Sequence, residues 1–233
     1  MSQEQPETPA KGLIIAIDGP SGAGKGTVAR GVAARLGYRH VDTGAMYRAV
    51  AWSALRQGVD PAVEEAVVDV ASRARIEVGD GVARVDGVDV AEAIRTPEID
   101  AAASAVARQP RVREILIRQQ REMGRDGCVV MEGRDIGTVV FPHADLKLYL
   151  DASPEERARR RAQDPQHAAG RSGTAIAEVA TALEARDRSD RTRAASPLMR
   201  AADAIEIDTT ALNVEGVIDE VMRLVSERTN RDR

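Results

Sequence analysis

Chemistry is most clearly encoded in one glycine-rich stretch, residues 19–27, which reads G-P-S-G-A-G-K-G-T. When such a loop leads into a helix, its backbone N–H groups converge on an anion, and a lysine adds charge for the outer phosphates. A hydroxyl on the first helical turn orients Mg²⁺; Gly26 stands where that hydroxyl is usual, and Thr27 supplies it one residue later. The stretch therefore predicts a site for the phosphates of a nucleoside triphosphate. Its residues are Gly19, Pro20, Ser21, Gly22, Ala23, Gly24, Lys25, Gly26 and Thr27.

Two other interpretations of this loop remain open. Gly22 and Gly24 could begin the G-x-G-x-x-G pattern of a dinucleotide-binding fold, with Asp42 placed to bind a ribose. That pattern needs glycine or alanine where Thr27 stands, and it gives Lys25 no role on a pyrophosphate held by a helix terminus. A purely structural glycine turn explains neither the lysine nor the apolar run before the loop. The phosphate site accounts for both.

The loop is placed by the elements around it. Residues 13–17 are almost wholly apolar, which is typical of a strand buried on both faces of a parallel sheet, and a helical period follows Gly24. Strands separated by helices predict an α/β fold, an open parallel sheet with helices on both faces. Further strands are predicted at 38–41, 128–131, 146–150 and 204–207, and helices at 43–57, 61–72, 98–107, 110–124, 154–168, 174–191 and 213–228.

The chain divides into a short leader and one domain. Residues 1–11 contain two prolines and two glutamates with little to bury, and they predict a disordered leader before a domain at 12–233. Residues 75–90 read R-I-E-V-G-D-G-V-A-R-V-D-G-V-D-V, which alternates and turns at Gly-Asp-Gly and Asp-Gly. This pattern predicts a small antiparallel β insertion at about 73–98.

Composition argues against several classes of function. A formal net charge of −4 gives no overall basic field of the kind that holds generic nucleic-acid binders. The single cysteine, Cys128, rules out an intramolecular disulfide, and the three histidines show no zinc spacing. No apolar run approaches about 20 residues, and the N-terminus lacks a secretory signal pattern. We expect a cytoplasmic monomer with no nucleic-acid or membrane partner.

Four sequence blocks occur in a fixed order: G-P-S-G-A-G-K-G-T, V-D-T-G-A-M-Y-R-A-V, E-G-R-D-I-G-T-V-V-F-P and R-D-R-S-D-R-T-R. Together they resemble the bacterial cytidylate kinases, a family of P-loop nucleoside monophosphate kinases, over about residues 13–226. The resemblance implies a P-loop kinase fold. It also implies transfer of the γ-phosphoryl group of ATP to CMP and dCMP, a step of pyrimidine nucleotide metabolism, with Mg²⁺ bound by Thr27 directly or through water.

The resemblance further implies which residues bind CMP. Cytosine presents an amino donor beside two acceptors, so a carboxylate and an arginine fork complement it, whereas uracil inverts two of these groups. Thr43 stands where serine is usual in the family and Glu132 where aspartate is common; Glu132 is given no role. Taken singly, each arginine could equally be a solvated surface charge. The implied contacts are Arg48, Arg134 and Arg193 to the phosphate, Arg186 and Asp190 to the ribose, Asp135, Ser104 and Arg113 to the base, and Thr43 and Tyr47 beside them.

Residues 153–173 resemble the lid of this kinase superfamily, which closes on ATP and excludes water. Ser153 is a predicted helix N-cap. Arg157, Arg160 and Arg161 then share one helical face, a pattern that is also common on solvated surfaces. The resemblance implies that two of these arginines reach the phosphates. The implied catalytic residues are Lys25, Arg134, Arg157 and Arg161.

Three competing functions can be weighed against this one. A kinase of the same fold for UMP, shikimate or dephospho-coenzyme A would share the loop but not the later blocks. A nucleotide-dependent switch would be expected to carry a guanine-reading N-K-x-D, which the sequence lacks. A nucleic-acid binding module would use the arginines on phosphates, but the acidic net charge and the small aromatic content, one Trp, three Tyr and one Phe, argue against it.

Overall fold

The computed structural model describes residues 12–164 and 175–231. The predicted leader, residues 1–11, and the end of the predicted lid, residues 165–173, lie outside the described residues. Within the described part, no helix is both long and apolar enough to cross a membrane. The strands are β1 (Ile14–Asp18), β2 (Arg39–Asp42), β3 (Ile76–Gly79), β4 (Val82–Val85), β5 (Val88–Asp89), β6 (Val129–Gly133), β7 (Leu146–Asp151) and β8 (Ile205–Asp208).

Helices connect most of these strands, as the alternating sequence pattern predicts. A short π-helical turn, Ile136–Val140, follows β6. The α-helices are α1 (Lys25–Leu36), α2 (Thr43–Arg56), α3 (Glu64–Arg73), α4 (Pro97–Val106), α5 (Pro110–Met123), α6 (Pro154–Gln163), α7 (Ile176–Thr192) and α8 (Val214–Arg231).

Five parallel strands form the central sheet, in the order β2-β6-β1-β7-β8. Alternate residues of β1 point to opposite faces, yet both sets are buried: Ile15 and Ile17 pack with α1 and α8, and Ala16 packs towards α5. This double burial explains why β1 reads as a continuous apolar run. The open α/β sheet with helices on both faces is confirmed. Its ligand crevice is expected at the carboxyl ends of the strands.

The predicted insertion is a separate three-stranded antiparallel sheet, β3-β4-β5. Asp80 and Gly81 have φ of 50° and 83°, and Asp86 and Gly87 have φ of 51° and 80°, so each Asp-Gly pair makes a two-residue turn with both φ positive. The insertion abuts the central sheet at β2, where the His40 amide donates to the Asp80 carboxylate at 3.2 Å. The prediction of an antiparallel insertion is therefore confirmed.

Several boundaries differ from the sequence prediction for local reasons. The second strand begins at residue 39 rather than 38, because Gly37 turns left-handed and the Tyr38 amide donates back to the Ala33 carbonyl at 2.9 Å. Helix α3 begins at residue 64 rather than 61, since the Asp60 side chain accepts from the Ala62 amide and holds a turn. Helix α6 ends at Gln163, short of the predicted 168.

Candidate active site

The glycine-rich loop joins β1 to α1 in a backbone path that glycine alone permits. Gly19, Gly22 and Gly24 have φ of 147°, 80° and 87°. A Cβ at Gly19 would overlap the Leu150 carbonyl oxygen, so the loop lies directly against β7. Before the loop, the Asp18 carboxylate accepts from the Ile136 and Gly137 amides at 2.8 and 2.7 Å. These contacts fix the end of the turn that joins β1.

Lys25 is buried in the loop that it belongs to. Its ammonium donates to the Pro20 carbonyl at 2.7 Å and is 6% exposed. Burial lowers the pKa of Lys25 to about 7, with a further lowering from Arg134, while Glu132 is the first of the nearby carboxylates that oppose the shift. A polyanion bound in the loop would favour the charged form of this lysine.

Gly26, the unusual residue of the loop, faces the carboxylate of Glu132 on β6. A Cβ at Gly26 would lie 2.9 Å from Glu132 Oε1, which is closer than side chains tolerate. The same oxygen lies 3.2 Å from His40 Nε2, and both side chains are buried. The glycine therefore makes room for an acidic group that β2 and β6 place beside the first turn of α1. A serine or threonine side chain at position 26 would therefore meet this carboxylate.

One end of the cleft holds a buried ion pair between α5 and Asp135, which lies two residues after β6. Arg113 Nη2 donates to Asp135 Oδ2 at 2.5 Å, and Arg113 is 2% exposed. The Arg113 guanidinium lies 5.2 Å from the ring centroid of Tyr47. Among the described residues, the Tyr47 hydroxyl and Arg113 Nε find no hydrogen-bond partner. Buried polar atoms of this kind are usually satisfied, so their position points to a ligand.

Arg134 connects the phosphate loop to helix α7. Its guanidinium donates to Ser21 Oγ at 2.7 Å and to Asp190 Oδ2 on α7 at 2.9 Å. Arg193, which caps the end of α7, lies 3.5 Å from Asp190 Oδ1 and 3.7 Å from Asp135 Oδ1. Burial raises the pKa of Asp190, but Arg134 and the neighbouring arginines outweigh it and hold that pKa below its usual range.

Two more arginines that line the cleft pair with carboxylates. Arg48 donates to Asp42 at 2.9 Å, and Asp42 also accepts from the Ala45 amide at 3.0 Å as the N-cap of α2. Burial opposes ionisation of Asp42, yet Arg48 and that amide bring its pKa down to about 2. Arg186 on α7 donates to Asp100 on α4 at 3.1 Å. Asp42 is thus both a helix cap and part of the cleft.

The predicted lid arginines separate in the structure. Arg157 is buried behind the loop, where it donates to the Ser21 carbonyl at 3.0 Å and pairs with Asp187. Arg161 lines the cleft instead, where burial, and then the nearby Arg186, lower its pKa to about 10. Ser153 caps α6 by accepting from the Glu156 amide at 3.2 Å, which confirms that part of the prediction.

The cleft has a volume of about 590 Å³ and continues past the loop to the C-terminal end of β8. Arg160 bridges to this side by donating to Thr209 Oγ1 at 2.9 Å and to the Thr209 carbonyl at 2.6 Å. Leu212 and Val214 line the wall there and are 43% and 44% exposed. No sequence motif predicted this wall, although the run D-T-T-A-L-N after a predicted strand was a usable signal.

No group of three or more His, Cys, Asp or Glu side chains that could hold a metal ion occurs within residues 12–164 and 175–231. Thr27, with its hydroxyl on the first turn of α1, lines the cleft beside Lys25 and Glu132. Mg²⁺ commonly takes one or two protein ligands and completes its shell with phosphates and water, so this sparse donor set fits a nucleotide-bound ion.

A family model described as "Cytidylate kinase" matches residues 15–227. The chain belongs to the cytidylate kinase family. It is 47% identical to a cytidylate kinase of Solibacter usitatus, over 97% of this chain and 98% of that protein. It is 48% identical to a cytidylate kinase of Desulfitobacterium hafniense, over 94% of each chain.

Among solved structures, a shikimate kinase from Bacteroides thetaiotaomicron matches with a TM-score of 0.50 and 12% sequence identity. The match covers 92% of this chain and 98% of that one. At this identity the likeness concerns the fold alone, and it accords with the predicted P-loop kinase fold.

Almost every residue predicted for the site lies in one cleft in this cytidylate kinase family member. The exceptions are Gly19 and Pro20, which form the base of the loop, and Arg157 behind it. Ser104 reaches the cleft but also donates to the Asp100 carbonyl at 3.0 Å. The predicted residues that line the cleft are Ser21, Gly22, Ala23, Gly24, Lys25, Gly26, Thr27, Thr43, Tyr47, Arg48, Ser104, Arg113, Arg134, Asp135, Arg161, Arg186, Asp190 and Arg193.

Proposed function

We propose that this chain transfers the γ-phosphoryl group of ATP to CMP, forming ADP and CDP, and that it also accepts dCMP. The kinase activity towards CMP follows from membership of the cytidylate kinase family. The observation that carries the residue assignment is the buried pair Arg113–Asp135, which lines the same cleft as the phosphate loop. A donor site and an acceptor site then share one cleft.

The donor phosphates bind at the loop. The amides around Gly22 and Gly24 and the N-terminus of α1 supply the main-chain donors, and Lys25 adds its charge to the β and γ phosphates. Leu212 and Val214 offer an apolar wall beyond the loop, which suits the adenine ring. The loop holds phosphates mainly with its backbone, so its geometry matters more than its side chains.

The acceptor needs positioning rather than a general base. A nucleoside monophosphate has a second pKa of about 6 and is already largely a dianion at pH 7. The difficulty is to bring two polyanions together, and permanently charged arginines offset that repulsion. Arg134 is bound to Ser21 of the loop and to Asp190 of the acceptor side, so it lies between the two phosphates that react. Arg48 and Arg193 complete the acceptor phosphate site.

Base selection rests on Asp135 and Arg113. In our proposal Asp135 accepts from the cytosine amino group, with Ser104 nearby, and Arg113 donates to the ring acceptors. Uracil would turn a carbonyl towards Asp135 and leave buried groups unpaired, which is costly. The Tyr47 hydroxyl and Thr43 lie beside this pocket, while Arg186 and Asp190 are assigned to the ribose. Arg186 and Asp190 would therefore contact the ribose hydroxyl that CMP has and dCMP lacks.

Thr27 is the residue that we assign to Mg²⁺, directly or through water. The bound ion would neutralise charge that develops on the transferring phosphoryl group. Arg161 faces the cleft from α6 and is assigned to the same charge. Arg157, by contrast, is committed to Asp187 and to the loop backbone, so we assign it to positioning the loop rather than to touching phosphate.

The test is production of ADP from ATP and Mg²⁺ with CMP, dCMP, UMP, AMP and no acceptor, measured in parallel. We expect turnover with CMP and dCMP far above UMP. Asp135→Asn should lower kcat/KM for CMP about tenfold or more. The ratio of kcat/KM for CMP to kcat/KM for UMP should therefore decrease. The matched control is Asp126→Asn, an exposed carboxylate outside the cleft. ATP hydrolysis that ignores every acceptor would show that the acceptor assignments are wrong.

The sequence also predicts a monomer that works in the cytoplasm. Both statements stay predictions. Sedimentation equilibrium of the purified chain, with and without substrates, tests the first.

A further inference from the structure

Arg95 is a cleft residue that belongs to none of the four sequence blocks and to which the family resemblance gives no role. Arg95 lies between the insertion strand β5 and helix α4, and it lines the cleft. Its backbone is held on both sides: Ile94 is 1% exposed, and Thr96 caps α4 by accepting from the Ile99 amide at 3.2 Å. The side chain donates through Nε to the Ala91 carbonyl at 3.2 Å. Its position is therefore fixed by packing rather than by an acidic partner.

Unlike most arginines around it, Arg95 has no carboxylate partner among the residues that the structure describes. Arg48, Arg113, Arg134 and Arg186 each pair with an aspartate. Among the described residues, the terminal nitrogens of Arg95 make no hydrogen bond and no ion pair. A half-buried guanidinium with two unused donor groups is an arrangement that an anion would complete.

The charges near Arg95 identify the kind of anion. Burial and the neighbouring Arg48 both lower its pKa, and Arg30 of α1 acts in the same direction. The carboxylates of Asp42 and Asp164 oppose this shift, and Asp42 is committed to Arg48 and to the cap of α2. Arg30 approaches Gly26, since its Nη1 lies 3.6 Å from the place of a Cβ there. Arg95 therefore lies in the cleft near Arg48, Asp42 and Arg30.

We infer that Arg95 binds the phosphate of the acceptor nucleotide, and that the insertion thereby supplies a residue to the acceptor site. The inference rests on the proposed function. A phosphate dianion placed beside Arg48 would also meet the unused donors of Arg95, and it would relieve the repulsion among the arginines that gather there. The insertion, which otherwise contacts the central sheet through His40 and Asp80, then has a role in the reaction.

The experiment compares a ligand with the phosphate and one without it. CMP binding is measured by titration calorimetry, and cytidine binding by inhibition of CMP turnover, for Arg95→Gln and Arg95→Lys. Arg95→Gln should weaken CMP binding about ten- to a hundredfold, as loss of a charged hydrogen bond does, while cytidine inhibition stays unchanged. Arg95→Lys should recover part of the affinity. Arg84→Gln, an exposed arginine on β4 outside the cleft, is the matched control and should match the wild type.

Each outcome decides the inference. Equal weakening of CMP and cytidine would make Arg95 a structural residue, and unchanged CMP binding would remove it from the site. In both cases wild-type turnover of CMP leaves the proposed function standing. A wild-type chain that neither binds nor phosphorylates CMP would overturn the proposed function and this inference together.

Discussion

The two ends of the cleft are built from different materials. At the donor end, four of the nine loop residues are glycines, and the single charged side chain of the loop itself is Lys25, buried against its own backbone. At the acceptor end, long side chains dominate, and they are paired in advance: Arg113 with Asp135, and Arg134 with Asp190. One end depends on the path of the main chain, whereas the other depends on charge pairing.

This difference has consequences for recognition. A backbone site recognises phosphate, which every nucleotide shares, and tolerates little change of shape. A paired site is selective, because a ligand must exchange contacts with groups that already satisfy one another, and a wrong ligand leaves a buried group unpaired. We therefore expect substitutions at the donor end to affect chemistry and folding, and those at the acceptor end to affect selectivity.

Lys25→Met should have the largest effect on activity. It should also show whether the donor end of the cleft can be impaired without affecting CMP binding at the acceptor end. The charge of Lys25 matters most in the transition state, so we expect kcat to fall about 10²- to 10³-fold with little change in KM for CMP. Steady-state kinetics with varied CMP at saturating ATP measure both constants. Lys25→Arg, which keeps the charge, is the companion variant. A rise in KM for CMP as large as the fall in kcat would contradict the separation of the two ends.

Gly19→Ala should destabilise the donor end through its backbone. Alanine there would need φ of 147° and would overlap the Leu150 carbonyl, so we expect a loss of about 3 kcal/mol or more in the free energy of unfolding. Gly58→Ala is the matched control: its φ is 68°, but the space around it is open, and about 1 kcal/mol is expected. Urea unfolding compares them. Similar losses would show that left-handed φ, and not contact with β7, decides the cost.

Much of the fold could be predicted because its signals are local. A strand buried on both faces reads as an apolar run, and the Asp-Gly pairs at 80–81 and 86–87 read as hairpin turns. The π-helical turn could not be predicted in this way, because it depends on Asp18, whose carboxylate holds the amides of Ile136 and Gly137 from 118 and 119 residues away. No local pattern announces such a contact.

The site residues also differ in whether a local sequence pattern could predict them. Residues within the sequence blocks, such as Lys25 and Asp135, could be assigned because the blocks carry them. Arg157 shares a helical face with Arg161, yet it lies behind the loop because Asp187 and the Ser21 carbonyl bind it there. Arg95 has no motif around it at all. Helical spacing predicts which face of the helix carries a side chain. The groups that the side chain contacts depend on partners from distant elements, which the spacing does not reveal.

Binding of ATP at pH 8 should take up a proton at the donor end. With a pKa of about 7, Lys25 in the free cleft is roughly nine-tenths neutral at that pH, and bound phosphates would restore its charge. Calorimetry in buffers of different ionisation enthalpy should show uptake approaching about one proton per site. Lys25→Arg, which is always charged, should abolish it. Equal uptake in that variant would assign the proton to another group.

The lowered pKa of Lys25 should also make the free energy of unfolding depend on pH. The pKa of Lys25 falls from 10.5 to about 7 on folding, because burial disfavours its charged form. The free energy of unfolding of the free protein should therefore be lowest below pH 7 and should rise as the pH increases from 7 to 10.5. Urea unfolding of the free protein between pH 7 and 10 should show this slope, and Lys25→Met should flatten it. Bound ATP should flatten it as well, because it removes the penalty on the charged form.

His40→Leu should have the smallest effect and should show how far the donor end relies on side chains. His40 holds Glu132 at 3.2 Å, and Glu132 in turn faces Gly26 of the loop. Loss of one hydrogen bond to a carboxylate is worth on the order of 1 kcal/mol or a little more, so we expect kcat/KM for ATP to fall roughly five- to tenfold. His40→Gln can still donate and should recover most of it. Because the insertion contacts His40 through its backbone, CMP binding should stay unchanged in both variants. Equal loss in both would mean that His40 acts by packing alone, and the donor end would then rest on its main chain almost entirely.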